Sequence, residues 1–502
     1  MAKVKTRCGL LDGTEERGAH AFLGIPYAKP PVGDRRWKAP EPLDESDDVV
    51  SCKSMGYTAR QVIDEVEPAS LREQSEDCLT LNVWVRDLDS SSKPVMVYIH
   101  GGAYFSGGSS DPLYNGAAFA RNHDVVLVSI NYRLNVFGSL QLSALPGGEE
   151  YREAGYLNLL DQVAALKWVR DNIEAFGGDK DRVTLFGESA GSASAALLAV
   201  TPSAAGLFKR VICESGPIQL YKTPEKASAY AREFATSAGC STAQELAAKS
   251  SDEITDAMAA FCEKHRFETS LMFAPVCDGN FVPRKPMAAW RKGAAAGVDV
   301  MIGSTEDEFN YFSFYFKPED MPGFWHGQTP FHFDDLVDIE EWEQKWKEAN
   351  PGIDFLGTYT EFMNQTGFRV GADMMAEQQS AVNDTYNYLF RYKSRCEGMG
   401  ACHAIELPFV FDALDNQSVA DHITGPGAPQ HLADEMGDVW YNFAATGKPF
   451  AEGLPEWPAF TKSDHAYMVI DENGWCVRRD INKKNNELFA GMYSALIEGD
   501  EY

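Results

Sequence analysis

Three observations predict an α/β protein built on a mostly parallel sheet with helices on both faces. Short β-branched runs recur along the chain, and helix-period segments stand between them. One run also breaks at a glycine-flanked serine directly into an alanine-rich stretch. Alternation of this kind threads parallel strands through crossover helices. The strand candidates are "VMVYI" (95–99), "VVLVSI" (125–130), "VTLF" (183–186), "RVIC" (210–213), "DVMI" (299–302) and "YNYLFRY" (386–392). In "DQVAALKWVRDNIEAFGG", Val163, Leu166, Val169, Ile173 and Phe176 recur at spacings of three and four. That pattern predicts one buried helix face, ended by Gly177 and Gly178.

The chain has 502 residues, 44% hydrophobic and 24% charged, which is ample for a large core. Length alone suggests about three domains. No Pro/Ser-rich linker, low-complexity block or internal repeat divides the sequence, however. A single domain over 1–502 with long insertions is therefore expected, including an aromatic-rich excursion around 309–365. The formal net charge of −29 opposes nucleic acid and anionic membranes as partners. The opening "MAKVKTRCGLLDGTEERG" lacks the apolar core of a signal peptide, and no later stretch approaches a membrane span. A cytoplasmic chain is expected, or a secreted one whose leader has been removed. The ten cysteines contain no CxxC pair and no zinc-type Cys/His cluster, so no metal is expected and most thiols are expected reduced and buried.

In a parallel sheet the ligand site lies at the carboxyl ends of the strands. Four such ends carry chemistry. "GESAG" (Gly187 to Gly191) fits G-x-S-x-G and follows a predicted strand, which would hold Ser189 out on a sharp turn at a helix N-terminus. The alternative is a plain helix cap flanked by glycines. "HGGAYF" (His100 to Phe105) follows an earlier strand, and its glycines let backbone N–H groups approach an oxyanion. The N–H of Ala190 would join them. His100, at the strand end, reads as structural. A serine nucleophile needs a base and an oriented carboxylate. Of ten histidines, His403 stands best, after the last clear strand and before "IELPFVF". The acid lies within Glu306, Asp307 and Glu308, and the residues alone do not choose among them.

These stretches together resemble the type-B carboxylesterase/cholinesterase family, nearly end to end. The resemblance rests on "FLGIPYAKPPVGDRRW" (22–37), "SEDCLTLNVW" (75–84), "VYIHGGAYFSG" (97–107), "NYRLNVFG" (131–138), the segment 160–191, "GSTEDEF" (303–309), "HAIELPFVF" (403–411) and "LPEWPAF" (454–460). It is most similar to bacterial esterases of the para-nitrobenzyl type. The resemblance implies the α/β-hydrolase fold, a serine carboxylesterase and no cofactor. It implies a triad of Ser189, Glu308 and His403, with oxyanion donors at Gly102, Ala103 and Ala190. Ala103 replaces a glycine frequent in the family, and its N–H survives the change. Glu188 and Ser215 match supporting family positions, and Cys52 with Cys78 matches a family disulfide. Asn158, where relatives commonly have glycine, is expected to accept a left-handed backbone.

Residues 309–333 hold ten aromatics directly after Glu308. Half suit a packed core, and the rest suit a wall over the substrate pocket, with Phe324 and Trp325 as its test. Two rivals stand beside the esterase. One is a non-catalytic interaction domain of the same fold, disfavoured by the intact Ser189, Glu308 and His403. The other uses the same triad on amides or lactones, or for acyl transfer. The natural ester and the oligomeric state are not legible.

Overall fold

The computed structural model describes residues 2–62, 73–89, 91–216, 218–265, 272–315, 339–353 and 355–498. An eleven-stranded sheet runs through it. In chain order its strands are β1 (Thr14–Glu16), β2 (Ala19–Pro26), β3 (Thr80–Val85), β4 (Lys93–Ile99), β5 (Val126–Ile130) and β6 (Gly178–Glu188). They continue as β7 (Arg210–Glu214), β8 (Asp299–Thr305), β9 (Thr385–Phe390), β10 (Ala466–Ile470) and β11 (Cys476–Arg479). Across the sheet the order is β11-β10-β9-β8-β7-β6-β4-β5-β3-β2-β1. Every pairing from β5 through β4, β6, β7, β8 and β9 to β10 is parallel. The two margins are antiparallel.

All six predicted strands lie in the sheet. Five more were not predicted, among them the fully buried β3 "TLNVWV" and β10 "AYMVI". "AHAFLGIP" carries a glycine and a proline that weaken any strand signal, and "CVRR" is a half-exposed edge.

The sheet is buried on both sides. Val95, Val97 and Ile99 enter one apolar cluster, while Met96 and Tyr98 between them enter the other. Val211 and Cys213 divide from Ile212 in the same way. This is the period-two geometry of a strand covered on each face, and it explains why such strands read as continuous apolar runs. Helix α1 (Leu157–Asn172) and the 3₁₀ turn after it bury the predicted stripe, from Val163 to Phe176, in the first cluster. Gly177 ends the turn at φ 81°. Helix α2 (Ala190–Ala199) leaves the sheet after β6. On the other face α5 (Gln430–Thr446) contributes Met436, Trp440 and Phe443 to the second cluster. Helices α3 (Asn310–Tyr315) and α4 (Val370–Gln379) lie between β8 and β9 in the chain, and α6 (Lys483–Ile497) follows β11.

Asn158 corrects an expectation. It sits inside the first turn of α1 rather than in a left-handed turn, and its amide Nδ2 donates to the Phe273 carbonyl at 3.4 Å. A right-handed helical backbone is open to any L-residue, so the position does not need glycine's freedom. Among the described residues no helix is long and apolar enough to cross a membrane.

Candidate active site

Strand β6 ends at Glu188 and α2 begins at Ala190, so Ser189 alone makes the turn, at φ 56° and ψ −121°. A serine in that region is strained by about 1–3 kcal/mol. Two backbone hydrogen bonds hold it there. Ser189 N–H donates to the Glu214 carbonyl at 2.9 Å, and Ala193 N–H donates to the Ser189 carbonyl at 2.9 Å. The flanking glycines are steric requirements. A Cβ on Gly187 would lie 2.6 Å from the Ile99 carbonyl oxygen, and one on Gly191 only 1.9 Å from it. The elbow is pressed against the end of β4.

The loop after β4 lies against this elbow. A Cβ on Gly101 would meet Glu188 Oε2 at 2.8 Å and Ser189 Cβ at 3.2 Å. Gly102, Ala103 and Tyr104 all have positive φ, at 101°, 53° and 57°. The Gly102 carbonyl accepts from Phe105 N–H at 2.8 Å and from Ser106 N–H at 3.0 Å, which closes the turn. Ala103 therefore takes up a left-handed backbone without its methyl removing the N–H. Among the described residues the N–H groups of Gly102, Ala103 and Ala190 have no acceptor. His100 is buried beneath the loop. Its Nδ1–H donates to the Gly101 carbonyl at 2.8 Å, and its ring stacks on Tyr132 at 4.4 Å. Burial pushes its pKa down to about 4, so it serves as a neutral buttress.

The three acidic residues after β8 separate by environment. Glu306 pairs with Arg391 at 2.8 Å and with Lys393. Asp307 also meets Lys393, and it accepts from Ala401 N–H at 2.8 Å. Glu308 turns inward and is fully buried. Its Oε1 accepts from Thr305 N–H at 2.7 Å, and its Oε2 accepts from His403 Nδ1–H at 2.6 Å. The other ring nitrogen, Nε2, lies 2.9 Å from Glu188 Oε1, off the line of the N–H bond. Among the described residues no hydrogen bond joins the Ser189 hydroxyl to His403. Burial opposes charge on the imidazole, yet Glu188 and Glu308 outweigh it and raise the His403 pKa well above its ordinary value. Glu188 is itself raised by burial, against the pull of His403. Phe368, Phe312 and Tyr311 surround the ring at 4.9, 5.2 and 6.4 Å. The last two come from the aromatic excursion, on α3. Phe324 and Trp325 lie outside the described residues.

Two buried carboxyls were not singled out in the sequence. Glu406 accepts from Ser215 Oγ at 3.3 Å, and burial among Glu188, Glu308 and Glu214 drives its pKa well up. Glu214 accepts from Trp440 Nε1 at 2.7 Å, and burial lifts it to about 8 against that hydrogen bond. Both stand inside apolar context, in "RVICESG" and "HAIELPFVF". An acidic residue at such a place is the signal that could have found them. The disulfide expectation is corrected: Cys52 and Cys78 are both free thiols. Cys52 Sγ points to the Val50 carbonyl at 3.7 Å beside Asp12, whereas Cys78 is buried near Asp161 and Arg133. The two sulfurs occupy different surroundings.

A serine on a strained elbow, unused N–H groups in the elbow and in the loop beside it, and a carboxylate-paired imidazole are the kinds of group that acyl transfer needs. The sequence model of the carboxylesterase family matches residues 1–489. The para-nitrobenzyl esterase of Bacillus subtilis (strain 168) is 36% identical over 97% of this chain and 98% of its own. The phenmedipham hydrolase of Pseudarthrobacter oxydans is 33% identical over 96% and 97%. Among solved structures, the carboxylesterase EST55 of Geobacillus stearothermophilus superposes with a TM-score of 0.85. It is 36% identical, and the match covers 97% of this chain and 99% of that one.

Proposed function

The chain belongs to the carboxylesterase family and is a carboxylic-ester hydrolase, and on that premise we propose that it cleaves small-molecule esters through an acyl-enzyme on Ser189. Ser189 attacks the ester carbonyl while His403 takes its proton through Nε2. Glu308 fixes the tautomer through Nδ1 and stabilises the imidazolium. The N–H groups of Gly102, Ala103 and Ala190 receive the oxyanion. His403 then protonates the departing alcohol, and water repeats the sequence on the acyl-enzyme.

The observation that supports this reading best is the 2.6 Å bond between Glu308 and His403, whose ring stands 2.9 Å from Glu188, the residue before Ser189. Glu188 sits beside Nε2 rather than along its bond, and among the described residues no hydrogen bond occupies that nitrogen. One domain carries all these parts, since strands from both ends of the chain share the sheet. A panel of para-nitrobenzyl and other esters of varied acyl and alcohol size, with matched amides, tests the proposal. Esters are expected to turn over far faster than amides, and Ser189→Ala is expected to lose about 10⁵-fold or more in kcat. Undiminished hydrolysis by that variant would refute it.

A further inference from the structure

A six-residue π-helical stretch, Asn364–Arg369, interrupts the helix that runs into α4. Wide turns of this kind are rare and concentrate at functional sites. This one meets the loop around Glu308 from both sides. Asn364 Oδ1 accepts from the N–H of Phe309, the residue after Glu308, at 2.7 Å. Arg369 Nη2 donates to the carbonyls of Thr305 at 3.0 Å and Glu306 at 2.8 Å, before Glu308. Its Nε reaches Ser304 Oγ at 3.5 Å. Between them Phe368 packs on the His403 ring at 4.9 Å.

The helix geometry matters. In an α-helix, residues five apart are separated by about 140° around the axis and cannot both face one loop. A turn closed by bonds five residues apart brings them back to one side. Arg369 is equally unusual in its partners. Among the described residues it pairs with no carboxylate, and its guanidinium serves the Ser304 hydroxyl and the Thr305 and Glu306 carbonyls, where β8 passes into the acid loop. A planar fork suits that task better than an ammonium.

We propose that the π-helical turn is a positioning device for the acid of the triad, with Arg369 and Asn364 holding the 305–309 loop so that Glu308 meets His403. This rests on the triad reading given above. Both residues bond the backbone on either side of Glu308, and their effect passes through it.

The test compares Arg369→Gln, Arg369→Lys, Arg369→Gly and Asn364→Ala with Glu308→Gln as the benchmark, using a para-nitrophenyl ester and thermal melting of each protein. Arg369→Gln and Asn364→Ala are each expected to lose 10- to 100-fold in kcat, with KM changed less than twofold. The acid limb of kcat/KM should move to lower pH, because the imidazolium loses an aligned carboxylate. Arg369→Lys should recover part of the loss, and added guanidinium should restore activity to folded Arg369→Gly. The proposal is overturned if Glu308→Gln collapses kcat while Arg369→Gln and Arg369→Lys stay within threefold of the parent. It is equally overturned if their losses follow melting temperature alone, with no change in the acid limb and no guanidinium rescue. If Glu308→Gln itself keeps full activity, the triad reading fails instead.

Discussion

The elbow at the end of β6 and the acid loop at the end of β8 are neighbouring parts of one site, specified in opposite ways. The elbow is fixed by steric exclusion. Gly187 and Gly191 are there because the Ile99 carbonyl leaves no room for a Cβ. The acid loop is fixed by polar pairing. Its three consecutive carboxylates are sorted by Arg391, Lys393, the Ala401 N–H and His403. Both sets of partners lie more than eighty residues away in sequence, but steric exclusion restricts the residue type and leaves a motif in the chain, whereas polar sorting of like carboxylates does not.

The contrast can be broken at either end. The largest effect is expected from Gly191→Ala, whose methyl would overlap the Ile99 carbonyl at 1.9 Å. A loss of about 3 kcal/mol or more, with the melting transition lowered or no folded protein recovered, would follow from that overlap. In the acid loop, Glu308→Gln should keep the fold and lose about 10⁴-fold in kcat, since an amide cannot stabilise the imidazolium. Steady-state kinetics beside a melting curve separates those two kinds of damage.

Glu188→Gln sharpens the comparison where the two regions touch. Glu188 and Glu308 together hold the His403 pKa above its ordinary value. Catalysis needs the neutral ring in the free enzyme, so activity rises as pH climbs through that pKa. Removing one negative charge lowers the pKa, and the acid limb of kcat/KM should shift to lower pH. A limb that stays in place would detach Glu188 from the imidazole. The smallest effect belongs to Glu306→Gln, which gives up surface pairs with Arg391 and Lys393. It should cost at most about 1 kcal/mol in denaturant unfolding and leave kcat within twofold.

The same distinction explains what the sequence made legible. Six of the seven parallel strands and the stripe from Val163 to Phe176 were readable because burial on a fixed period marks every residue; the seventh, "AYMVI", was not singled out. Ser189 and the glycine loop were readable because close backbone approach demands small residues. Without the family resemblance, Glu308 could not be told from Glu306 and Asp307. Glu214 and Glu406 escaped because a buried carboxyl differs from a surface one only by what folds over it. The antiparallel strands "AHAFLGIP" and "CVRR" were hidden by glycine, proline and exposure. Cys52 and Cys78 resembled a bridge by sequence position, and position does not carry the direction of a side chain.

The central claim is that the elbow serine, and no other nucleophile, carries the acyl group. Rapid acid quench of the enzyme during turnover of a slowly deacylated para-nitrophenyl ester, followed by peptide mass analysis, measures this directly. The account predicts a burst of nitrophenol matched by one acyl group per chain, on the peptide that contains Ser189. A full burst with the acyl group on another residue, or turnover with no covalent species and undiminished in Ser189→Ala, would contradict it.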